Sequence, residues 1–344
     1  MKAVIMAGGE GTRLRGVTGG GAKPMVPLLG RPIMEHIILL LKKHGFCDIC
    51  AALKYRAEDI KNYFGTGDAL GVKLQYRTEN EPLGTAGAVK NCADFYGNDD
   101  FLVISGDAAC DFDLAALMRA HREKGSLVTL AVAESPAPLG YGLVIADSAG
   151  YVRAFTEKPA WPQVVTNLVN TGIYVLSPRA LDYVPGGAPF DFARNLFPLL
   201  LARSERIFAL TLPGYWRDIG TPESYYRASL DALTGKLTLS PAPAFVPTPA
   251  PAAVPAHDGG GEEGAHLCCP CRDRAAVMRA LSSASLDLGA SFENGLTLAR
   301  DGYRVHISPV ERESAVRVSV FSPDSAFARA LTRSLAALIG ALGL

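Results

Sequence analysis

The chain has 344 residues, with 34 basic residues balancing 34 acidic ones. That leaves no net charge, and nothing in the bulk electrostatics selects nucleic acid or an anionic membrane as a partner. The length exceeds one ordinary core and predicts two domains. No apolar stretch approaches the roughly 18 residues of a spanning helix, and no charged leader precedes an apolar run at the N-terminus, which predicts a cytoplasmic protein. Seven cysteines, an odd number spread along a long chain, predict reduced thiols rather than a disulfide framework.

The first fifty residues set an α/β pattern. "KAVIM" (2–6) reads as a short buried strand followed by a glycine-rich loop. "PIMEHIILLLKKHG" (32–45) places Ile33, Ile37, Leu40 and Leu41 on one helical face, with Lys42 and Lys43 in the last turn and Gly45 just beyond. "DICAAL" (48–53) reads as a strand, "AEDIKNYFG" (57–65) as a helix and "VKLQYR" (72–77) as a strand. "TAGAVKNCADF" (85–95) then reads as a helix, and "DFLVISGD" (100–107) as a strand ending on glycine and aspartate. This alternation predicts a mostly parallel sheet covered on both faces, with ligands outside the carboxyl ends of its strands. Residues 236–267 are rich in proline and glycine and have little to pack, so they read as a linker between a domain over 1–235 and a small α+β body over 268–344. In that body "DRAAVMRAL" (273–281) reads as a helix, and "GLTLAR" (295–300), "YRVHIS" (303–308) and "VRVSVF" (316–321) read as strands. Ser322 and Pro323 open a last helix with Phe327, Leu331, Leu335 and Leu338 on one face.

The loop "AGGEGTRLRGVTGGGAKP" (7–24) fails two familiar glycine motifs. Gly9 and Gly11 fit the start of a dinucleotide fingerprint, but its third glycine would be Leu14. Gly16 and Gly21 have the spacing of a Walker loop, but Ala22 precedes Lys23 and Pro24 follows it. What remains is a cradle whose amides can approach an anion closely, with Arg13 and Lys23 as cations ten residues apart.

Gly-x-Gly-Thr-Arg followed by Lys-Pro resembles the signature of the sugar-phosphate nucleotidylyltransferases. Further stretches resemble the same family in its order: "EPLGTAGAV" (81–89), "SGDAACDFDL" (105–114), "YGLV" (141–144), "FTEKP" (155–159), "NTGIYVL" (170–176), "PFDFARNLFPLLL" (189–201) and "GYWRDIGTPESY" (214–225). Within the family they are most similar to mannose-1-phosphate guanylyltransferases, with glucose-1-phosphate uridylyl- and thymidylyltransferases close behind. The resemblance implies a Rossmann-like nucleotidyltransferase domain that joins an NTP to a sugar 1-phosphate, giving an NDP-sugar and pyrophosphate. GTP and mannose 1-phosphate are the leading pair, and a non-catalytic nucleotide-sugar sensor is the alternative from another class. The resemblance also admits a homo-oligomer.

The resemblance assigns Arg13 to the outer phosphates, Lys23 to the α-phosphate and Lys158 to the sugar phosphate. Ala7, Gly8, Gly9, Gly11, Thr12, Glu81, Gly84 and Thr85 fall on the nucleotide side, and Gly142, Glu157 and Asn170 on sugar hydroxyls. Asp107 and Asp218 match the family's Mg2+ ligands, where two carboxylates suffice because magnesium keeps waters and takes substrate phosphates. Asp111 and Asp113 read as a turn and a helix cap instead. Trp216 reads either as a wall of the sugar pocket or as core. The run between Arg15 and Lys23 is more glycine-rich than the family usually carries, which predicts weak affinity for free NTP because more backbone entropy is lost on ordering.

Cys47 and Cys50 have C-x-x-C spacing, but they lie in a strand-like stretch with no second pair, which argues against zinc or redox work. The C-terminal body resembles the last domain of phosphomannomutases and phosphoglucomutases, without their phosphoserine loop or phosphate loop, and reads as non-catalytic. Cys268, Cys269 and Cys271 could bind metal only by recruiting His257, His266 or another subunit.

Overall fold

The computed structural model describes residues 1–14, 20–233, 235–239, 264–270, 296–300, 303–309, 315–322 and 325–341. The chain divides into two compact units. The first comprises Met1–Met25, Ile33–Gly220 and Leu237–Ala242; the second comprises Val26–Pro32, Thr221–Lys236 and the described part of Pro243–Leu344.

In chain order the elements begin with β1 (Lys2–Ala7), β2 (Pro27–Leu28), β3 (Arg31–Pro32), α1 (Ile33–Lys43), β4 (Asp48–Leu53), α2 (Ala57–Phe64) and β5 (Lys73–Thr78). They continue with α3 (Gly84–Lys90), α4 (Ala93–Tyr96), β6 (Phe101–Ser105), β7 (Ala108–Cys110), α5 (Leu114–Lys124), β8 (Val128–Glu134), β9 (Gly142–Ala146) and β10 (Val152–Glu157). Next come β11 (Leu168–Leu176), a π-helical turn at Phe192–Leu196, α6 (Phe197–Ala202), β12 (Ile207–Thr211), β13 (Trp216–Asp218) and α7 (Pro222–Leu233). The last are β14 (Gly264–Pro270), β15 (Leu296–Arg300), β16 (Tyr303–Pro309), β17 (Ala315–Phe321) and α8 (Ser325–Ala341).

Nine strands of the first unit form one sheet with the path β10-β9-β11-β6-β1-β4-β5, and β8 joins β11 to β12. The sheet is mixed: β1 pairs in parallel with β4 on one side and β6 on the other, β5 lies parallel beyond β4, and β12 runs parallel to β8. β11 runs antiparallel to β6, β8 and β9. β1 is a strand because Ala3, Val4 and Ile5 can be buried on both faces of a central position, where hydrophobicity need not alternate. The chain leaves β1 toward β4 and later returns to β1's other side as β6, so a crevice opens at their carboxyl ends.

Two helices differ from their sequence patterns. In α1 the expected face is buried, but so are Met34, Glu35, His36, Ile38 and Leu39, so the helix is covered nearly all round over 33–41. Glu35 is tolerated there because Tyr63 Oη donates to its carboxylate at 2.8 Å. The single helix expected over 85–95 divides into α3 and α4, with Cys92 leaving helical geometry at φ −98°, ψ 18°. Asp113 caps α5 as expected, accepting from Ala116 N–H at 2.9 Å. Asp111 does more than turn the chain: its carboxylate accepts from Tyr215 N–H at 2.6 Å and Thr238 N–H at 2.9 Å.

In the second unit an antiparallel sheet runs β14-β17-β16-β15. Val305, Ile307, Val316, Val318 and Val320 pack against Ala328, Leu331, Leu335 and Ile339 of α8. Leu29 of the β2-β3 hairpin and Tyr226 of α7 pack on the same cluster, and Tyr225 Oη donates to Pro27 O at 2.7 Å. Leu331 and Leu335 therefore bear out the expected stripe; the side chains of Phe327 and Leu338 lie outside the described residues. So do Pro323, the helix expected over 273–281 and the linker over 240–263. The last four residues of the expected linker begin strand β14. Among the described residues no helix is long and apolar enough to cross a membrane.

Candidate active site

The site grows from the carboxyl ends of β1 and β6. β1 ends at Ala7 and runs into Gly8, whose Cβ position lies 3.4 Å from Lys54 Cβ and 3.8 Å from Glu79 Oε1. Gly11 follows at φ +61°, and a Cβ there would stand 2.7 Å from Lys23 Cβ. Only glycine allows both that backbone and that approach, so the cradle is shaped around the stem of Lys23. β6 ends at Ser105, and Gly106 passes the chain to Asp107. The three-residue pairing of β13 with β7 sets Asp218 opposite Ala108, and Ile219 N–H donates to Asp107 O at 3.2 Å. Two carboxylates more than a hundred residues apart in sequence thus stand side by side.

Lys23 Nζ lies between them. It donates to Asp107 Oδ2 and lies 3.4 Å from Asp218 Oδ1. Burial alone would depress its pKa, but the two carboxylates outweigh that and raise it, so Lys23 is held as an ammonium. Burial also opposes ionisation of Asp107, yet Lys23 and a hydrogen bond from Ser105 Oγ hold it below the usual carboxylate range. Asp218 goes the other way: burial and the neighbouring Asp107 charge push it up, against the pull of Lys23 and Arg13. Arg13 is exposed and stands across Gly220, where a Cβ would meet Asp218 Oδ2 at 2.5 Å and Arg13 Nη2 at 3.2 Å.

Beside the aspartates lies a cavity of about 440 Å³ lined in part by Thr85, Gly142, Glu157, Asn170, Asp191 and Trp216. The pairing of β11 with β8 is interrupted between Asn170 and Tyr174, the kind of irregularity that re-aims side chains, and both line the cavity. Asn170 Nδ2 donates to Tyr174 Oη at 2.9 Å. Glu157 is pushed above the usual range by burial. Trp216 is a wall here, its Nε1–H donating to Thr171 O at 3.0 Å and its ring meeting Tyr141 edge-on.

Residues 2–235 match the family described as Nucleotidyl transferase, which is more than half of the chain. The chain belongs to that family. Among its relatives, a mannose-1-phosphate guanylyltransferase of Mycobacterium tuberculosis is 37% identical over 244 residues, covering 71% of this chain and 67% of that one. A UTP–glucose-1-phosphate uridylyltransferase of Synechocystis is 36% identical over 250 residues, covering 69% of this chain and 64% of the relative's length. The crystal structure of HddC from Yersinia pseudotuberculosis complexed with GMP-PN superposes with a TM-score of 0.58 at 31% identity, covering 66% of this chain and 97% of that one. A Bacillus anthracis protein solved in complex with sucrose gives a TM-score of 0.61 at 26% identity, covering 67% and 94%.

The residues singled out from sequence do not all converge. Lys23, Asp107 and Asp218 form one cluster with Arg13 at its edge; Gly142, Glu157, Asn170 and Thr85 line the adjoining cavity. Lys158 is exposed at φ +46°, its N–H donating to Tyr141 O at 3.2 Å. Gly9 and Thr12 belong to the loop after β1. Glu81 is exposed, and the carboxylate that approaches Gly8 is Glu79, which accepts Leu83 N–H at 3.2 Å and is pushed up by burial. Sequence reasoning missed Glu79 because a lone acidic residue just after a strand carries no motif. It also missed Tyr141, Tyr174, Asp191 and Arg194, whose approach to the cavity depends on the fold rather than on spacing.

The cysteine pattern resolves differently from its spacing. Cys50 Sγ lies 3.7 Å from Cys92 Sγ, both buried, while Cys47 is exposed. On β14 Cys268 is exposed and Cys269 buried, facing opposite sides as neighbours on a strand must, and His266 pairs with Ser319 Oγ at 2.8 Å. Cys271 and His257 lie outside the described residues. Among the described residues no group of three or more His, Cys, Asp or Glu could hold a metal.

Proposed function

We propose that the chain transfers a nucleoside monophosphate from an NTP to a sugar 1-phosphate, releasing pyrophosphate. The observation that carries this is the Lys23–Asp107–Asp218 cluster, with Arg13 at its edge, opening directly onto a cavity lined by Glu157 and Asn170. Cations suit a polyphosphate and paired carboxylates suit the divalent cation that accompanies it; a partly buried carboxylate and an amide suit sugar hydroxyls.

The sugar phosphate supplies the nucleophile. One of its oxygens forms a bond to the α-phosphorus, the bond to the bridging oxygen of pyrophosphate breaks, and that oxygen keeps the electron pair. No protein side chain need be consumed, so the residues act by placement and charge. Lys23 neutralises the α-phosphate, Arg13 grips the departing phosphates with its planar fork, and Lys158 meets the sugar phosphate. Glu157 and Asn170 orient the sugar, with Trp216 as wall. Ala7, Gly8, Gly9, Gly11 and Thr12 approach the nucleotide, and Glu79, whose carboxylate nears Gly8, joins Glu81 on that side.

The donor set fits Mg2+. Asp107 and Asp218 are two hard oxygen donors held together; burial first, and then the Asp107 charge, raise the pKa of Asp218 against the pull of Lys23, and a divalent cation would take over from Lys23 in offsetting that charge. When bound, the ion would neutralise phosphate charge at these carboxylates.

GTP with mannose 1-phosphate is the leading pair, supported by the guanylyltransferase relative and by the GMP-PN complex of HddC; the uridylyltransferase at similar identity makes UTP with glucose 1-phosphate the second reading. Pyrophosphate release measured with GTP, UTP, dTTP and ATP against mannose 1-phosphate and glucose 1-phosphate tests both. The greatest rate is expected with GTP and mannose 1-phosphate, and silence in every combination would defeat the proposal.

A further inference from the structure

We propose that Asp191 is a specificity residue: one oxygen of its carboxylate reads a hydroxyl of the sugar 1-phosphate while the other fixes the segment bearing Thr85. This rests on the nucleotidyl-transfer reading above.

Asp191 stands just before the π-helical turn Phe192–Leu196, and its Oδ1 already has two donors. Thr85 N–H and Thr85 Oγ1–H both donate to it, each at 3.1 Å. Thr85 Oγ1 in turn accepts Phe192 N–H at 3.0 Å, so this hydroxyl both donates and accepts within the protein. The backbones are joined as well. Phe190 N–H donates to Leu83 O at 2.8 Å, and Phe190 O accepts Ala86 N–H at 2.9 Å and Gly87 N–H at 3.1 Å. Gly84, at φ +69°, makes the approach possible, because a Cβ there would stand 2.7 Å from the Phe190 backbone. Asn195 Oδ1 closes the far side by accepting Asp191 N–H at 2.8 Å. The carboxylate therefore sits in a fixed frame.

Its other oxygen is different. Among the described residues Oδ2 has no hydrogen-bond partner, and Asp191 lines the cavity that also holds Glu157, Asn170, Tyr174 and Arg194. Asp191 lies close enough to Glu157 for its charge to add to burial in raising that group. An ionised carboxylate can only accept hydrogen bonds, and a sugar ring offers O–H donors. A preset charged acceptor in a partly closed cavity discriminates between a substrate that carries the matching hydroxyl and one that lacks it. Because Oδ1 holds Thr85, the same side chain links the sugar cavity to the segment placed on the nucleotide side.

The test uses the full chain, with mannose 1-phosphate, glucose 1-phosphate and their singly deoxygenated analogues, assayed for kcat/KM on wild type, Asp191→Asn, Asp191→Ala and Thr85→Val. Wild type should lose about 10- to 100-fold on one particular deoxy position. Asp191→Ala should lose a similar factor on the intact sugar and then show no further loss on that same analogue. Asp191→Asn, which keeps an acceptor for Thr85, should raise KM for the sugar phosphate and leave KM for the NTP near wild type. Thr85→Val should do the reverse. Additive losses in Asp191→Ala on every analogue would overturn the proposal and leave Asp191 a purely structural tie. Calorimetric binding of the same sugar phosphates reads the same cycle without turnover. A wild type that binds them but transfers nothing would defeat the transfer reading while still judging Asp191; absence of binding would overturn this proposal too.

Discussion

Lys23 carries two opposed demands. It must be charged to meet a phosphate, and it must be buried to sit between Asp107 and Asp218; the carboxylates reconcile the two by raising its affinity for a proton. Removing one partner should leave the rest unbalanced in a way that chemistry feels before stability does. Asp107→Asn should abolish turnover with the circular dichroism spectrum and melting transition near wild type; unchanged activity would remove Asp107 from the metal-binding role. Chelation by EDTA should silence the enzyme, and excess Mg2+ should restore it. At this scale much was legible: Arg13, Lys23, Asp107 and Asp218 stand in motifs whose local spacing survives in the sequence. Glu79 and Asp191 were not, since the first lies outside any motif and the second is set in place by Thr85, a partner 106 residues away.

The elements that position these residues were legible in proportion to their length. β1, β4, β6 and α2 follow clear apolar patterns, whereas β7 and β13, three residues each, have no period to read, yet their pairing brings the two aspartates together. The π-helical turn has no sequence signature either, and it places Arg194 at the cavity. The cradle after β1 yields a sharp expectation. Gly11→Ala would force a side chain into Lys23 and hold a disfavoured backbone, a strain of about 1–3 kcal/mol, so kcat should drop about 5- to 150-fold. Steady-state kinetics beside a melting curve would separate the loss of rate from the loss of fold. Helix α5 gives a pH expectation. His121 is 2% exposed, with Nδ1 2.9 Å from Thr129 Oγ1; burial lowers its pKa below 6.5 although Asp100 pulls upward. The folded state prefers this histidine neutral, so its contribution to stability is complete above pH 6.5 and is lost as the pH falls below it. Urea unfolding should show a decline of up to about 1.4 kcal/mol per pH unit in that range, flattened in His121→Gln.

For the whole molecule, the shift in composition predicts a linker over 236–267 between bodies at 1–235 and 268–344, whereas the two compact units divide the chain at other places. Strand β14 takes up the end of the expected linker, because "GAHLCCP" reads as irregular until β17 supplies its partner. The second unit also recruits Val26–Pro32 and Thr221–Lys236, which in sequence directly follow Met25 and Gly220. We propose that residues 268–344, the C-terminal part of this unit, are non-catalytic. Leu331→Ala, which empties part of the core shared by β17 and α8, should lower that unit's stability by about 2–5 kcal/mol. Hydrogen exchange should then show protection lost in β16, β17 and α8 and retained in β1, β4 and β6. Loss of protection everywhere would mean the two units unfold as one.

The central claim is that the chain moves a nucleoside monophosphate directly from an NTP to a sugar 1-phosphate. Reaction of GTP radiolabelled at the α-phosphorus with mannose 1-phosphate, repeated with UTP and glucose 1-phosphate, tests it most directly. The account predicts label in the NDP-sugar, one pyrophosphate for each label moved and none attached to protein. Intact NTP after prolonged incubation with either pair, alongside tight binding of the NDP-sugars, would contradict it.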